Sequence, residues 1–100
     1  KFIPASVPSN VSVVGEILDN NDLKSIYKKA DILLITSNRE GFPMVIMEAM
    51  ARGVIPVATP VGDIPRYITS YENGFVSSSI DPNIVVEEMV KFILILYNLR

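Results

Sequence analysis

Two glutamates with seven residues between them, Glu40 and Glu48, hold most of the chemistry this chain can do. Glu40 stands in a tight turn, Glu40-Gly41-Phe42-Pro43. Glu48 stands eight positions on, in Met44-Val45-Ile46-Met47-Glu48-Ala49-Met50-Ala51, a run that reads as a helix. An ionised carboxylate only accepts hydrogen bonds, and it can hold two neighbouring hydroxyls at once. Between the two acids lies the start of the helix. Its first backbone N–H groups lack intrahelical partners and carry the positive end of the helix dipole, so they suit an anion. Pro43 has no N–H to offer, which leaves the amides of Met44 and Val45. Gly41, without a Cβ, lets the backbone approach a ligand closely. The spacing fits a hydroxylated, phosphorylated ligand: Glu40 on a sugar ring, the helix start on phosphate, and Glu48 on a vicinal diol such as a ribose. Taken alone, Glu48 has a commoner meaning, a solvated glutamate on a helix face. Met44, Met47 and Met50 read as core filler.

Composition narrows the alternatives. The chain has neither cysteine nor histidine, which removes disulfides, thiolate metal sites, and the commonest general base and metal ligand. No cluster of acids suggests an all-carboxylate metal site, so no metal and no cofactor is expected. Net charge is −2 without a basic run, which argues against a nucleic-acid partner. One hundred residues make one domain, able to bury roughly 60–70% of the unfolded chain's surface. Yet 49% of the residues are hydrophobic and only 20% charged, apolar for a free-standing domain of this size. The longest apolar stretch, Phe92 to Tyr97, is far short of a membrane span. The start has neither an initiator Met nor the long apolar stretch of a signal peptide. The expectation is therefore a piece of a larger protein, with docking surfaces exposed.

The elements that must position the glutamates follow from periodicity. Residues 1–10 are irregular. Val11 to Gly15 reads as a short strand and Asn21-Asp22 as the cap of a helix through Ala30. Asp31 to Ser37 is a continuous apolar run, the pattern of a strand covered on both faces. A helix from Pro43 to Arg52 follows, closed by Gly53. Val54 to Thr59 is the next strand, in which Pro56 fits only where no ladder bond is needed. A turn at Pro60–Asp63 leads to a short helix from Ile64 to Thr69. Asn73-Gly74 turns into a strand from Phe75 to Ser77, and Asp81-Pro82 starts a helix running to Leu99. This βα alternation predicts an α/β fold, a parallel sheet of about four strands with helices on both faces. Ligands bind beyond the carboxyl ends of such strands. That edge is where the turns at 37–42 and 60–63 belong.

With those elements in place, the motifs resemble a known family. Glu40-Gly41-Phe42-Pro43, Glu48-Ala49-Met50-Ala51-Arg52-Gly53 and Pro56-Val57-Ala58-Thr59 are similar to the donor-site segment of retaining "group 1" glycosyltransferases of the GT-B architecture. The signature of that family is two glutamates separated by seven residues. Gly15, Asp31–Ser37, Gly62 and Asn73-Gly74-Phe75-Val76 extend the likeness across residues 11–80. The resemblance implies a partial Rossmann-like domain, residues 1–100, from the later part of a GT-B carboxy-terminal domain. It also implies transfer of a sugar from a UDP- or GDP-sugar to a glycan or lipid-linked acceptor, with retention and without a metal. Glu40 would meet the donor sugar as the catalytic-site acid. Gly41 and Phe42 would lie along the sugar and phosphates, and the amides of Met44 and Val45 would face the diphosphate. Glu48 would hold the ribose, with Thr59 and Gly62 near the nucleotide. Arg66 departs from the pattern, standing where the family often has a glutamate, and is expected to face solvent.

The same resemblance implies missing parts: an amino-terminal acceptor domain, and two upstream βα units bearing a basic pair for the diphosphate. The chain alone is therefore expected to be inactive, with open sheet edges and an apolar last helix available for self-association. The expected location is the cytoplasm, or the membrane periphery for the full-length protein. Two other readings stay open: a fragment of a nucleotide-sugar epimerase-like enzyme, and a non-catalytic binding or assembly module of the same fold.

Overall fold

The computed structural model describes residues 6–36 and 43–99. Seven elements follow in chain order: α1 (Asn20–Lys29), β1 (Ile32–Ile35), α2 (Pro43–Ala51), β2 (Ile55–Ala58), α3 (Ile64–Tyr67), β3 (Phe75–Val76) and α4 (Pro82–Asn98). The three strands form one parallel sheet in the order β1-β2-β3. β1 and β2 pair over four residues, from Ile32 opposite Ile55 to Ile35 opposite Ala58. β3 joins later, with Val57 opposite Phe75 and Ala58 opposite Val76.

Pro56 sits in the middle of the central strand because of that late start. The amides of Ile55 and Thr59 donate to the carbonyls of Asp31 and Ile35, so odd positions of β2 serve β1. Position 56 therefore faces the β3 side, one residue before pairing with β3 begins. A proline there forfeits no ladder bond. Gly74 crosses directly over it. A Cβ added at Gly74 would lie 2.6 Å from the Pro56 carbonyl oxygen and 2.8 Å from its Cγ.

Alternation along β2 sends side chains to two cores. Val57, with Ile55 beside it, packs against Val85, Met89 and Phe92 of α4 and against Phe75. Ala58 faces the opposite side, against Ile46 of α2, Val61, Ile64 and Ile68. Tyr27 of α1 joins that side with Ala49 and Val54, over Leu33. Helices thus cover both faces, as the continuous apolar strands require. An aromatic group ties β3 to α4: Phe75 stacks on Phe92 at 4.8 Å, and Tyr71 meets both edge-on at 5.9 and 5.5 Å. Tyr71 adopts φ 69°, an uncommon backbone region for a bulky side chain. The ring contacts hold it there.

The helix ends follow their chemistry. Asp81 caps α4 by accepting from the Asn83 amide at 2.9 Å, with Pro82 in the first turn. α1 is capped by Asp19, which accepts from Asn21 at 2.7 Å, so it begins earlier than Asn21-Asp22 suggests. α2 ends in a Schellman arrangement: the Val54 amide donates to Ala49 and the Gly53 amide to Met50, at 2.9 and 3.1 Å, with Gly53 at φ 75°. α3 is shorter than expected, stopping at Tyr67.

One expected strand does not form. Residues 11–15 join no ladder, and Val11, Val13 and Val14 are exposed, so the described sheet has three strands rather than about four. A β-branched run needs an edge to pair with. The outer edge of β3 is already taken: the Val76 amide donates to the Ser70 hydroxyl at 3.0 Å, and the Tyr71 amide to the Gly74 carbonyl at 2.9 Å. The outer edge of β1 carries no strand among the described residues. No helix of the described residues is long and apolar enough to cross a membrane.

Candidate functional site

The carboxyl ends of β1 and β2 lie side by side at one edge of the sheet. β1 ends at Ile35, and α2 starts at Pro43. β2 ends at Ala58 and passes through Thr59, Pro60, Val61 and Gly62 into α3. This turn is tightly tied. The Thr59 amide donates to Ile35 of the neighbouring strand at 3.0 Å, Val61 donates back to Thr59 at 2.9 Å, and Ile64 donates to Val61 at 3.1 Å. Gly62 takes φ 54°, a left-handed conformation that glycine adopts without steric cost. Val61 and Ile64 bury beside Ile46, which fixes the turn against the first turn of α2. Two adjacent strand ends and one helix start therefore share one rigid edge.

Glu40, Gly41 and Phe42 lie outside the described residues. Met44 and Val45 occupy the first turn of α2, where their amides are two of the four that a helix leaves without intrahelical partners. Glu48 stands in the second turn and is half-buried, while Ile46 and Ala49 are fully buried toward the sheet. Its carboxylate is close enough to raise the Tyr27 hydroxyl's pKa, an effect second to burial and opposed by Arg52. Thr59 is buried, and Gly62 is exposed on the same edge. The fold thus brings the start of α2, Thr59 and Gly62 to one end of two neighbouring strands, while Glu48, one turn further along α2, lies on the side of Tyr27 and Arg52. Arg66 points to solvent, its side chain 79% exposed and 3.8 Å from Asp63.

The methionines depart from expectation. Of the three methionines of α2 only Met50 packs against the core; Met44 and Met47 are 61% and 53% exposed. The inward stripe of α2 is Ile46, Ala49 and Met50, and at 3.6 residues per turn positions 44 and 47 fall outside it. Two further arrangements were not anticipated. The Arg52 guanidinium lies over the Tyr27 ring at 5.6 Å and donates to the Glu48 carbonyl at 3.3 Å. The Glu88 carboxylate accepts from both the amide and the hydroxyl of Ser78, at 2.7 and 2.8 Å, which holds its pKa below the ordinary value. Tyr27 and Arg52 are twenty-five positions apart and Ser78 and Glu88 ten, distances at which no helical or strand period pairs residues. Among the described residues no three acids gather as a metal site.

A parallel α/β layer with helices on both faces and its fixed turns at the carboxyl edge defines a Rossmann-like domain of the kind that binds ligands at that edge. The model of one such family, the group 1 glycosyl transferases, matches residues 5–96, and the chain belongs to that family. Similar proteins carry related names. A D-inositol 3-phosphate glycosyltransferase of Corynebacterium efficiens is 38% identical over 61 residues, 61% of this chain and 14% of that protein. An N-acetyl-alpha-D-glucosaminyl L-malate synthase of Bacillus anthracis is 29% identical over 73% of this chain and 19% of its own length. An uncharacterised glycosyltransferase of Methanocaldococcus jannaschii is 30% identical over 92% of this chain and 26% of its own. The chain thus spans between about a seventh and a quarter of these relatives.

Proposed function

We propose that this chain is the donor-binding portion of a retaining glycosyltransferase, and that the intact protein moves a sugar from a UDP- or GDP-sugar to a hydroxylated acceptor. The observation that carries the reading is the shared edge: the start of α2 and the Thr59–Gly62 turn leave adjacent strands and bury Ile46, Val61 and Ile64 against each other. In this reading the donor's diphosphate lies at the amides of Met44 and Val45. As the bond from the anomeric carbon to the diphosphate breaks, negative charge gathers on the departing phosphate. A helix N-terminus stabilises such charge without reorganising. Glu48 accepts from the two ribose hydroxyls, and its half-burial holds the carboxylate in place for both. Glu40 accepts from the sugar's hydroxyls and orients the ring. Gly41 and Phe42 line the path between them, and Thr59 and Gly62 border the nucleotide.

The share of the relatives' length that the chain covers supports a second half of the site lying elsewhere in the intact protein, with the acceptor domain and the upstream strands that complete the sheet beside β1. The isolated chain is then inactive. The D-inositol 3-phosphate and L-malate relatives favour a small hydroxylated acceptor as readily as a glycan or lipid-linked one. The test is transfer by the intact protein with Glu40→Ala. Turnover should fall by a hundredfold or more, on the order of 3 kcal/mol, while nucleoside diphosphate still binds. Full turnover would make Glu40 part of the scaffold.

A further inference from the structure

The far end of α2 carries a different chemistry. Lys24 and Lys28 stand one helical turn apart on α1, and Arg52 closes α2 beside them. Together they line an open cleft of about 310 Å³. Arg52 is oriented by two contacts, over the Tyr27 ring at 5.6 Å and to the Glu48 carbonyl at 3.3 Å. Tyr27 is itself buried against Ala49 and Val54, so the guanidinium is mounted on the core. Among the described residues none of the three cations has an acid within 4 Å; the ion pair found there is Arg66–Asp63. Lys28, with Lys29, sits in the last turn of α1, where a cation also answers the helix dipole. Lys24 lies a turn earlier, outside the reach of that effect. Three positive charges line one cleft, with the Glu48 carboxylate the acid that acts on Tyr27 beneath them; the arm of Arg52 not given to the Glu48 carbonyl and the two lysines suit a phosphate group, which takes Arg hydrogen bonds and point charges from Lys.

We infer that the Lys24–Lys28–Arg52 cleft is a second anion site, for a phosphate group, at the end of α2 opposite the donor turn. The group can belong to an anionic lipid headgroup or to a soluble phosphorylated molecule, and two probes separate these sources. The first is co-sedimentation of the intact protein with phosphatidylglycerol vesicles against neutral phosphatidylcholine vesicles. The second is a pyrophosphate titration followed through the amide signals of Lys24, Lys28 and Arg52. Binding to the anionic vesicles alone assigns a headgroup, and shifts with pyrophosphate assign a soluble ligand; either supports the site. Lys24→Glu with Lys28→Glu should weaken the observed binding about thirtyfold, and Lys24→Arg with Lys28→Arg should preserve it. Both positions are exposed, so the fold survives either pair, which a circular dichroism spectrum checks. No binding to either probe, or binding unchanged by the charge reversal, overturns the inference. Nucleoside diphosphate binding by the charge-reversed protein keeps this outcome separate from that of the donor site.

Discussion

At the scale of single residues, the chain relies on a few positions fixed by partners distant in sequence. Gly74 is one. Any Cβ there meets the Pro56 carbonyl at 2.6 Å, a backbone atom that cannot swing aside. Gly74→Ala should therefore cost about 1–3 kcal/mol, read as a lower urea midpoint with an unchanged slope. Glu88 is another. Hydrogen bonds from the Ser78 amide, then from its hydroxyl, hold the carboxyl below its ordinary value of 4.5. A depressed carboxylate stabilises the fold above the unfolded-state value, and that contribution disappears as pH falls through the lower folded value. Stability should decline on the acid side of 4.5, and Glu88→Gln should flatten that decline while leaving a smaller, constant loss at neutral pH. Urea midpoints taken across the acid range check both. Neither Gly74's crossing nor Glu88's clamp shows a local pattern, because each partner lies on another element.

At the scale of elements, local chemistry decides where helices begin and end. A Cβ at Gly53 would meet only open space, so the requirement for glycine is conformational alone, the φ of 75° that closes α2. Gly53→Ala should cost about 1–2 kcal/mol. Asp81→Ala removes the hydrogen bond to Asn83 and should cost about 1 kcal/mol, both visible in thermal unfolding. Such signals make α2, α4 and the strands β1, β2 and β3 readable from the sequence. Proline, glycine and cap residues act on their immediate neighbours. The expected strand at 11–15 fails for the opposite reason. Its β-branched run is legible, but whether it joins the open edge of β1 or stays unpaired depends on the whole sheet. Met44 and Met47 fail similarly: methionine suits a core, and only the phase of α2 against the sheet shows that two of the three face outward.

At the scale of the whole molecule, the two sheet edges differ. Ser70 and Tyr71 close the outer side of β3, whereas β1 is open among the described residues. Beside that open edge Leu34 is 52% exposed, and Val90, Leu94 and Tyr97 of α4 are exposed as well. The chain expressed alone should self-associate in sedimentation velocity, and Leu34→Lys should shift it toward monomer with less than about 0.5 kcal/mol lost in stability. Of the candidate site, the sequence carries the residue types and the edge they share. The phase of α2 and the packing of Val61 and Ile64 against Ile46 need the fold. The central claim concerns Glu48 and the start of its helix, and calorimetric titration of the intact protein with UDP and GDP tests it most directly. Glu48→Ala should weaken the preferred nucleotide by roughly ten- to a hundredfold, about 1.5–3 kcal/mol for a lost charge-assisted hydrogen bond. Affinity unchanged by Glu48→Ala would contradict the assignment of this carboxylate to the ribose, and with it the orientation of the ligand along α2.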